Sequence, residues 1–254
     1  MKKNPSMSFT QAALLACNTP SHGYVPAFGH LLQKQLTSMP AFHRAEMPNF
    51  TIREHNPLID YANMTPQDWQ CIADDISDNY ENYDGFVILH GTDTMEFIAS
   101  ALSFMFDNLD KPIIVTGPQI PLEALRSDGQ TNLLNALYLA ANYPINEVTL
   151  FFNKKLFRGN RIVKSHADGF DAFTSPNCPA LIDAGIHIRC LQSCPLPKNV
   201  GNFSSHKITP QPIGVVTIYP GISVQSIENI LLQPTKALIF GFTVLIMHLH
   251  KLSC

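Results

Sequence analysis

The sequence predicts an α/β fold: a doubly wound, mainly parallel sheet in an N-terminal domain, then a linker and a truncated second α/β domain. Three observations predict it. Short unbroken apolar runs recur at Gly85–Leu89, Pro112–Thr116 and Glu147–Phe152, and a strand buried on both faces reads as such a run rather than as an alternation. Helical periodicity fills the intervals, and strand–helix–strand alternation joins parallel strands by crossovers. A stretch dense in Pro, Gly and Ser follows Cys194, and one more strand–helix–strand pattern comes after it.

The elements follow in order. Pro40 to Ile52, rich in Pro, His and Phe, reads as loop plus a short strand. Thr65 opens a helix, with Pro66 at its first position and Asp68 three residues after the cap. Trp69, Ile72, Ala73 and Ile76 give that helix one apolar face. The run Gly85–Leu89 leads through a glycine turn into a helical pattern reaching Phe106. A second strand at Pro112–Thr116, a helix over Asn132–Ala141 and a third strand at Glu147–Phe152 repeat the alternation. Pro195, Pro197, Gly201, Ser204, Ser205, Pro210 and Pro212 mark the linker. Ile213–Tyr219 then reads as a strand, Ser223–Leu232 as a short helix, and Ala237–Phe240 as the start of another strand.

Bulk composition narrows the function. Over 254 residues, 45% are hydrophobic and 15% charged, so a buried core is expected and disorder is not. The net charge of -3 argues against a nucleic-acid partner, which needs a basic face. Six cysteines without a CxxC pair point to reduced cytoplasmic thiols rather than to zinc or disulfides. Lys2, Lys3 and the apolar residues up to Cys17 have the outline of a lipoprotein signal, but Pro5, Ser8, Thr10 and Gln11 interrupt it. The apolar tail from Ala237 to Met247 is shorter than the roughly 20 residues of a spanning helix. No membrane partner is expected.

The chemistry lies after Leu89. Ligands of parallel α/β sheets sit beyond the carboxyl ends of strands, and Thr92 and Asp93 lie there. A threonine hydroxyl can act as nucleophile or donor, and a carboxylate can hold an ammonium group, each with an activating neighbour. Gly91-Thr92-Asp93 alone reads better as a helix cap. The longer string decides otherwise. Gly85-Phe86-Val87-Ile88-Leu89-His90-Gly91-Thr92-Asp93-Thr94-Met95 resembles the second signature of the asparaginase/glutaminase family. The resemblance, to the cytoplasmic type I branch, runs from about Gly23 to about Leu238. It is carried by Met47–Ile52, Ser103–Asp107, Ile114–Leu134, Arg158–Phe173 and Ile213–Ser223 as well.

That resemblance implies hydrolysis of L-asparagine to L-aspartate and ammonia through a threonine nucleophile, with no metal and no organic cofactor. It implies a proton-relay triad of Thr92, Asp93 and Lys164, with Asp93 also gripping the substrate ammonium. The lysine is placed by Arg158-Gly159-Asn160-Arg161 before it and His166-Ala167-Asp168-Gly169-Phe170 after it. Tyr24 matches the loop tyrosine that orients the nucleophile. Asp60 matches the segment that holds the substrate carboxylate, and Tyr61 stands beside it where the family has a serine. Val163 stands where type I members often carry the threonine of an allosteric site. Intact members form homodimers and homotetramers.

One signature is missing. The family's primary nucleophile lies in a Tyr-Thr-Gly-Gly-Thr-Ile-Gly string, expected between Lys3 and Tyr24, and no such string is there. The codon junctions offer an account. Joining the last base of each codon to the first two of the next lets Phe9/Thr10 spell Tyr and Thr10/Gln11 spell Thr. Gln11/Ala12 and Ala12/Ala13 permit Gly, Ala13/Leu14 Thr, Leu14/Leu15 Ile and Leu15/Ala16 Gly. The same shift near Phe242–Leu249 recovers part of a second family string. The expected organisation is an aberrant, frameshifted segment over 1–19, a catalytic domain over 20–194 and a linker over 195–212. The start of a C-terminal domain over 213–240 and an aberrant tail over 241–254 complete it. On this reading the chain as it stands is inactive; the alternative is a non-catalytic fragment with a residual amino-acid cleft.

Overall fold

The computed structural model describes residues 6–11, 16–19, 23–26, 34, 36, 38–55, 63–122, 124–191 and 201–242, with backbone alone for the first three stretches and residue 242. The chain forms two compact units, one ending at Ile208 and the other beginning at Thr209.

The first unit begins with β1 (Ser6–Gln11), β2 (Ala16–Thr19), β3 (Gly23–Pro26) and β4 (Asn49–Glu54). Then come α1 (Pro66–Asn79), β5 (Gly85–Leu89), α2 (Met95–Met105), β6 (Phe106–Asp107) and β7 (Ile113–Thr116). Next are α3 (Gly129–Asn142), β8 (Val148–Phe152), β9 (Lys155–Arg158), β10 (Val163–Lys164) and β11 (Phe173–Thr174). The unit closes with β12 (Ile182–Ala184), β13 (Ile188–Cys190) and β14 (Ser204–Ser205).

An eight-stranded sheet runs β13-β12-β9-β8-β7-β5-β1-β4. The block β8-β7-β5-β1-β4 is parallel, and β9, β12 and β13 extend it antiparallel. The fold is the expected α/β class with a mixed, mainly parallel sheet. The antiparallel extension is an addition to the expected parallel pattern.

Alternate residues of the central strands supply two cores. Phe86 and Ile88 of β5, with Ile113 and Val115 of β7, pack with Ile72 and Ile76 of α1 and Ile98 and Leu102 of α2. Val87, Leu89 and Ile114 pack with Leu133, Ala136 and Leu137 of α3 on the opposite face. All five residues of β5 are buried, which is why its sequence runs apolar without alternating.

Local signals operate as their chemistry requires. Thr65 and Asp68 form the capping box of α1: the Thr65 N–H donates to Asp68 Oδ2 at 2.7 Å, and the Thr65 side chain accepts from the Asp68 backbone. The β8–β9 hairpin turns on Asn153 and Lys154, at φ 43° and 67°. Two successive left-handed residues are what a two-residue hairpin turn needs.

The stretch expected as a linker departs from expectation at its second half. Residues 201–208 are held by the first unit rather than left free. Phe203 stacks on Tyr80, with ring centroids 3.6 Å apart and planes 4° apart. β14 pairs with β6, the His206 N–H donates to the Met105 carbonyl at 2.7 Å, and Ile208 N–H donates to Gln70 Oε1 at 3.0 Å. The aromatic ring and the ladder outweigh the flexibility that Gly and Ser suggest. Residues 192–200 lie outside the described residues.

The second unit contains β15 (Ile213–Ile218), α4 (Val224–Leu231) and β16 (Ala237–Phe242), with β15 and β16 parallel. Ser223 caps α4 by accepting from the Ser226 N–H at 3.1 Å. This is the βαβ unit read from the sequence.

Candidate active site

The site is built at the carboxyl end of β5. His90 leaves the strand still tied to the sheet: its N–H donates to the Thr116 carbonyl at 2.8 Å. Its ring is fully buried, with Nδ1 2.7 Å from the Gly91 carbonyl oxygen and Nε2 3.2 Å from Met64 Sδ. Burial pulls its pKa down to about 4, partly offset by the bond to the Gly91 carbonyl, so the ring is neutral at pH 7. A neutral ring has one N–H and one acceptor nitrogen. Nδ1–H donating to Gly91 is the tautomer that satisfies the carbonyl.

Gly117 follows β7 and allows a close crossing. A Cβ there would sit 1.9 Å from the His90 carbonyl oxygen and 2.9 Å from Met95 Cε. The next turn is pinned by Asp128, which accepts from the Gln119 N–H at 2.9 Å, the Ile120 N–H at 3.1 Å and Asn132 Nδ2 at 2.9 Å. Asn132 also donates to the Gly117 carbonyl at 2.9 Å. The walls of the β5 and β7 termini are therefore held by backbone crossings and satisfied polar groups.

Thr92 and Asp93 occupy the turn before α2, and Lys164 arrives from β10. Lys164 Nζ lies 3.0 Å from Thr92 Oγ1 and 2.7 Å from Asp93 Oδ1. Three residues expected to act together are thus in mutual contact, across 72 positions of sequence in the case of Thr92 and Lys164. The lysine side chain is 14% exposed and the Asp93 side chain 73% exposed, so one end of the pair is covered and the other faces solvent.

Lys164 is delivered by a short segment packed on α2. At Gly159 a Cβ would lie 2.9 Å from each of the Ala99 carbonyl oxygen, Ser103 Oγ and the Val148 carbonyl oxygen. Before it, Arg158 forks onto Glu147, Nε to Oε2 at 2.6 Å and Nη2 to Oε1 at 3.1 Å. Opposite Lys164 on β11, Phe173 is buried and meets Phe152 edge to face at 5.1 Å. The Lys164 N–H donates to the carboxylate of Glu96. Glu96 is not among the residues expected from the sequence. Its only sequence signal is an acidic residue in the first turn of α2, which helix-dipole chemistry already accounts for.

The remaining expected residues are Tyr24, Asp60 and Tyr61. Tyr24 lies in β3, paired antiparallel with β2 opposite Asn18. Asp60 and Tyr61 lie outside the described residues. Residues 6–11, expected as part of an aberrant segment, form β1 in the slot between β4 and β5, with Thr10 beside Ile88 and Gln11 beside Leu89.

The comparisons join these observations. The family model described as asparaginase, N-terminal, matches residues 13–195. The chain belongs to the asparaginase family. It is 63% identical to L-asparaginase 1 of Escherichia coli (strain K12) over 238 residues, which is 94% of this chain and 70% of that protein. Among solved structures it is similar to L-asparaginase I from Vibrio cholerae, at 58% identity and a TM-score of 0.85, covering 93% of this chain and 71% of that one. The thermostable L-asparaginase from Thermococcus kodakarensis has the same fold at 25% identity, with a TM-score of 0.78 over 92% of this chain and 70% of that one. The asparaginase fold therefore persists to low identity, while the first two relatives share most residues of this chain. No helix among the described residues is long and apolar enough to cross a membrane.

Proposed function

We propose that this chain carries the proton-relay half of a cytoplasmic amidohydrolase that converts L-asparagine and water to L-aspartate and ammonia. The observation that carries it is the contact of Lys164 Nζ with both Thr92 Oγ1 and Asp93 Oδ1, at 3.0 and 2.7 Å. A threonine hydroxyl attacks the side-chain amide carbon and its proton passes to the relay. The tetrahedral oxyanion is held by N–H donors. The C–N bond then breaks, ammonia leaves with that proton, and water hydrolyses the acyl ester to aspartate. Lys164, once its ammonium has given up a proton and become the amine, serves as the proton acceptor of the relay, with Thr92 as its hydroxyl partner. Asp93 is paired with Lys164 through Oδ1, and the rest of its largely exposed carboxylate takes the substrate ammonium. Tyr24 acts on the nucleophile, and Asp60 with Tyr61 on the substrate carboxylate. The active form is a homo-oligomer without metal or cofactor.

The attacking threonine is the missing piece. The register of β1 supports the frameshift account: the Thr10/Gln11 junction, which spells the signature threonine in the shifted frame, lies level with the last residues of β5. Losing a nucleophile costs several orders of magnitude in rate. Ammonia release from L-asparagine is to be measured for this chain and for one with both frames restored. The expected result is turnover in the restored chain, and a rate lower by at least about 1,000-fold in the present one. Inactivity of both would sink the amidohydrolase reading.

A further inference from the structure

The two-stranded ladder that carries Lys164 leaves the main-chain N–H of that residue without a ladder partner. In an antiparallel pair, a residue either exchanges both main-chain bonds with its partner or neither. Ser165 N–H donates to the Ala172 carbonyl at 2.8 Å. That bond brackets the facing pair Lys164 and Phe173, so the Lys164 N–H points out of the ladder. A main-chain N–H held away from water needs an acceptor. The acceptor is the carboxylate of Glu96, 68 positions earlier.

Glu96 belongs to the first turn of α2, the helix that Thr92 and Asp93 lead into. Lys164 is therefore held at both ends by one short stretch of chain. Its ammonium meets Thr92 and Asp93, and its main chain meets Glu96. The ladder itself cannot supply this: β10 and β11 are two residues each and form a sheet of their own, apart from the eight-stranded one. Phe173 and Gly159 fix the distance of the segment from the core, but neither acts on the main chain of Lys164.

We infer that Glu96 is a positioning residue: its carboxylate clamps the main chain of Lys164 and so holds the ammonium within reach of the Thr92 hydroxyl. The proposal rests on the relay reading for its functional meaning. The clamp itself is measurable without turnover.

Three measurements test it. In the unaltered chain, hydrogen exchange at the Lys164 amide should be slowed about tenfold or more relative to an unstructured peptide, as for a charge-assisted bond. Exchange at the unstructured rate overturns the proposal. Limited acetylation read by mass spectrometry, with the exposed Lys154 as internal standard, should modify Lys164 about tenfold faster in Glu96→Ala, while Glu96→Gln, which keeps an acceptor, stays near the unaltered rate. A folded Glu96→Ala that labels at the original rate overturns it. Should Glu96→Ala not fold, Glu96→Asp replaces it, with a carboxylate one methylene short; the same rise is expected, and no rise overturns the clamp. In the frame-restored chain, Glu96→Ala should lower kcat with KM little changed, and Glu96→Gln should recover most of the loss. A loss confined to KM contradicts positioning. Inactivity of every form bears on the amidohydrolase reading and leaves the labelling result to decide the clamp.

Discussion

At the scale of single residues, the site depends on two groups whose surroundings leave little freedom. His90 is buried and neutral, with a pKa of about 4 in the folded chain against 6.5 for the free side chain. The unfolded chain then binds the extra proton between those values, so stability is full above pH 6.5 and falls as pH drops toward 4. The expected loss across that window is roughly 3 kcal/mol. Urea unfolding at stepped pH checks it, and His90→Gln should flatten the slope. Gly117 is constrained by space. Gly117→Ala drives a Cβ to 1.9 Å from the His90 carbonyl. The expected cost is about 3 kcal/mol, read as a lowered denaturation midpoint. Lys164→Met tests the relay itself. In the frame-restored chain it should abolish ammonia release, while the unfolding free energy from urea titration changes by less than about 1 kcal/mol because the Asp93 partner is mostly in water.

At the scale of elements, the strands buried on both faces were legible because their apolar runs are unbroken, and the helices because their apolar positions recur at helical spacing. Thr65, Pro66 and Asp68 announced α1 and do cap it. Thr65→Ala should cost about 1 kcal/mol in urea unfolding. The antiparallel strands β9, β12 and β13 were not legible. They have four, three and three residues, too few for a period to show, and the hairpin before β9 turns on Asn153-Lys154 without the glycine that usually marks such a turn. Thr92, Asp93 and Lys164 could be singled out because each sits in a distinctive string. Glu96 could not, because its role is defined by a partner far along the chain, and a single sequence carries no record of that pairing. The second half of the presumed linker misled for a similar reason: Phe203 looks like one aromatic residue among Gly, Asn and Ser until Tyr80 is seen against it. Phe203→Ala should cost about 2 kcal/mol.

At the scale of the whole molecule, the two units differ in how well their apolar groups are covered. The first has a core on each face of its sheet. In the second, Val215, Val224, Leu231, Leu232 and Ile239 are all exposed, and parallel strands ordinarily have both faces covered. Exposed apolar surface on this scale promotes association. Light scattering should show concentration-dependent association of the full chain, reduced when Val215, Leu232 and Ile239 are replaced together by Ser. A monodisperse monomer at all concentrations would contradict this.

The path from Gly159 to Lys164 has a further consequence. Gly159 is seated against Ala99 and Ser103, and Lys164 is tied to Glu96 and Thr92. The chain thus climbs the side of α2 from its middle to its start, and both ends of the climb are nailed. It works as a ruler whose length is set in residues. The stretch between Asp93 and Gly159 includes surface loops that can lengthen or shorten without being felt at the ammonium. Six consecutive residues cannot. Among natural variants, gaps and insertions should scatter through those loops and stop abruptly at the foot of this short ladder.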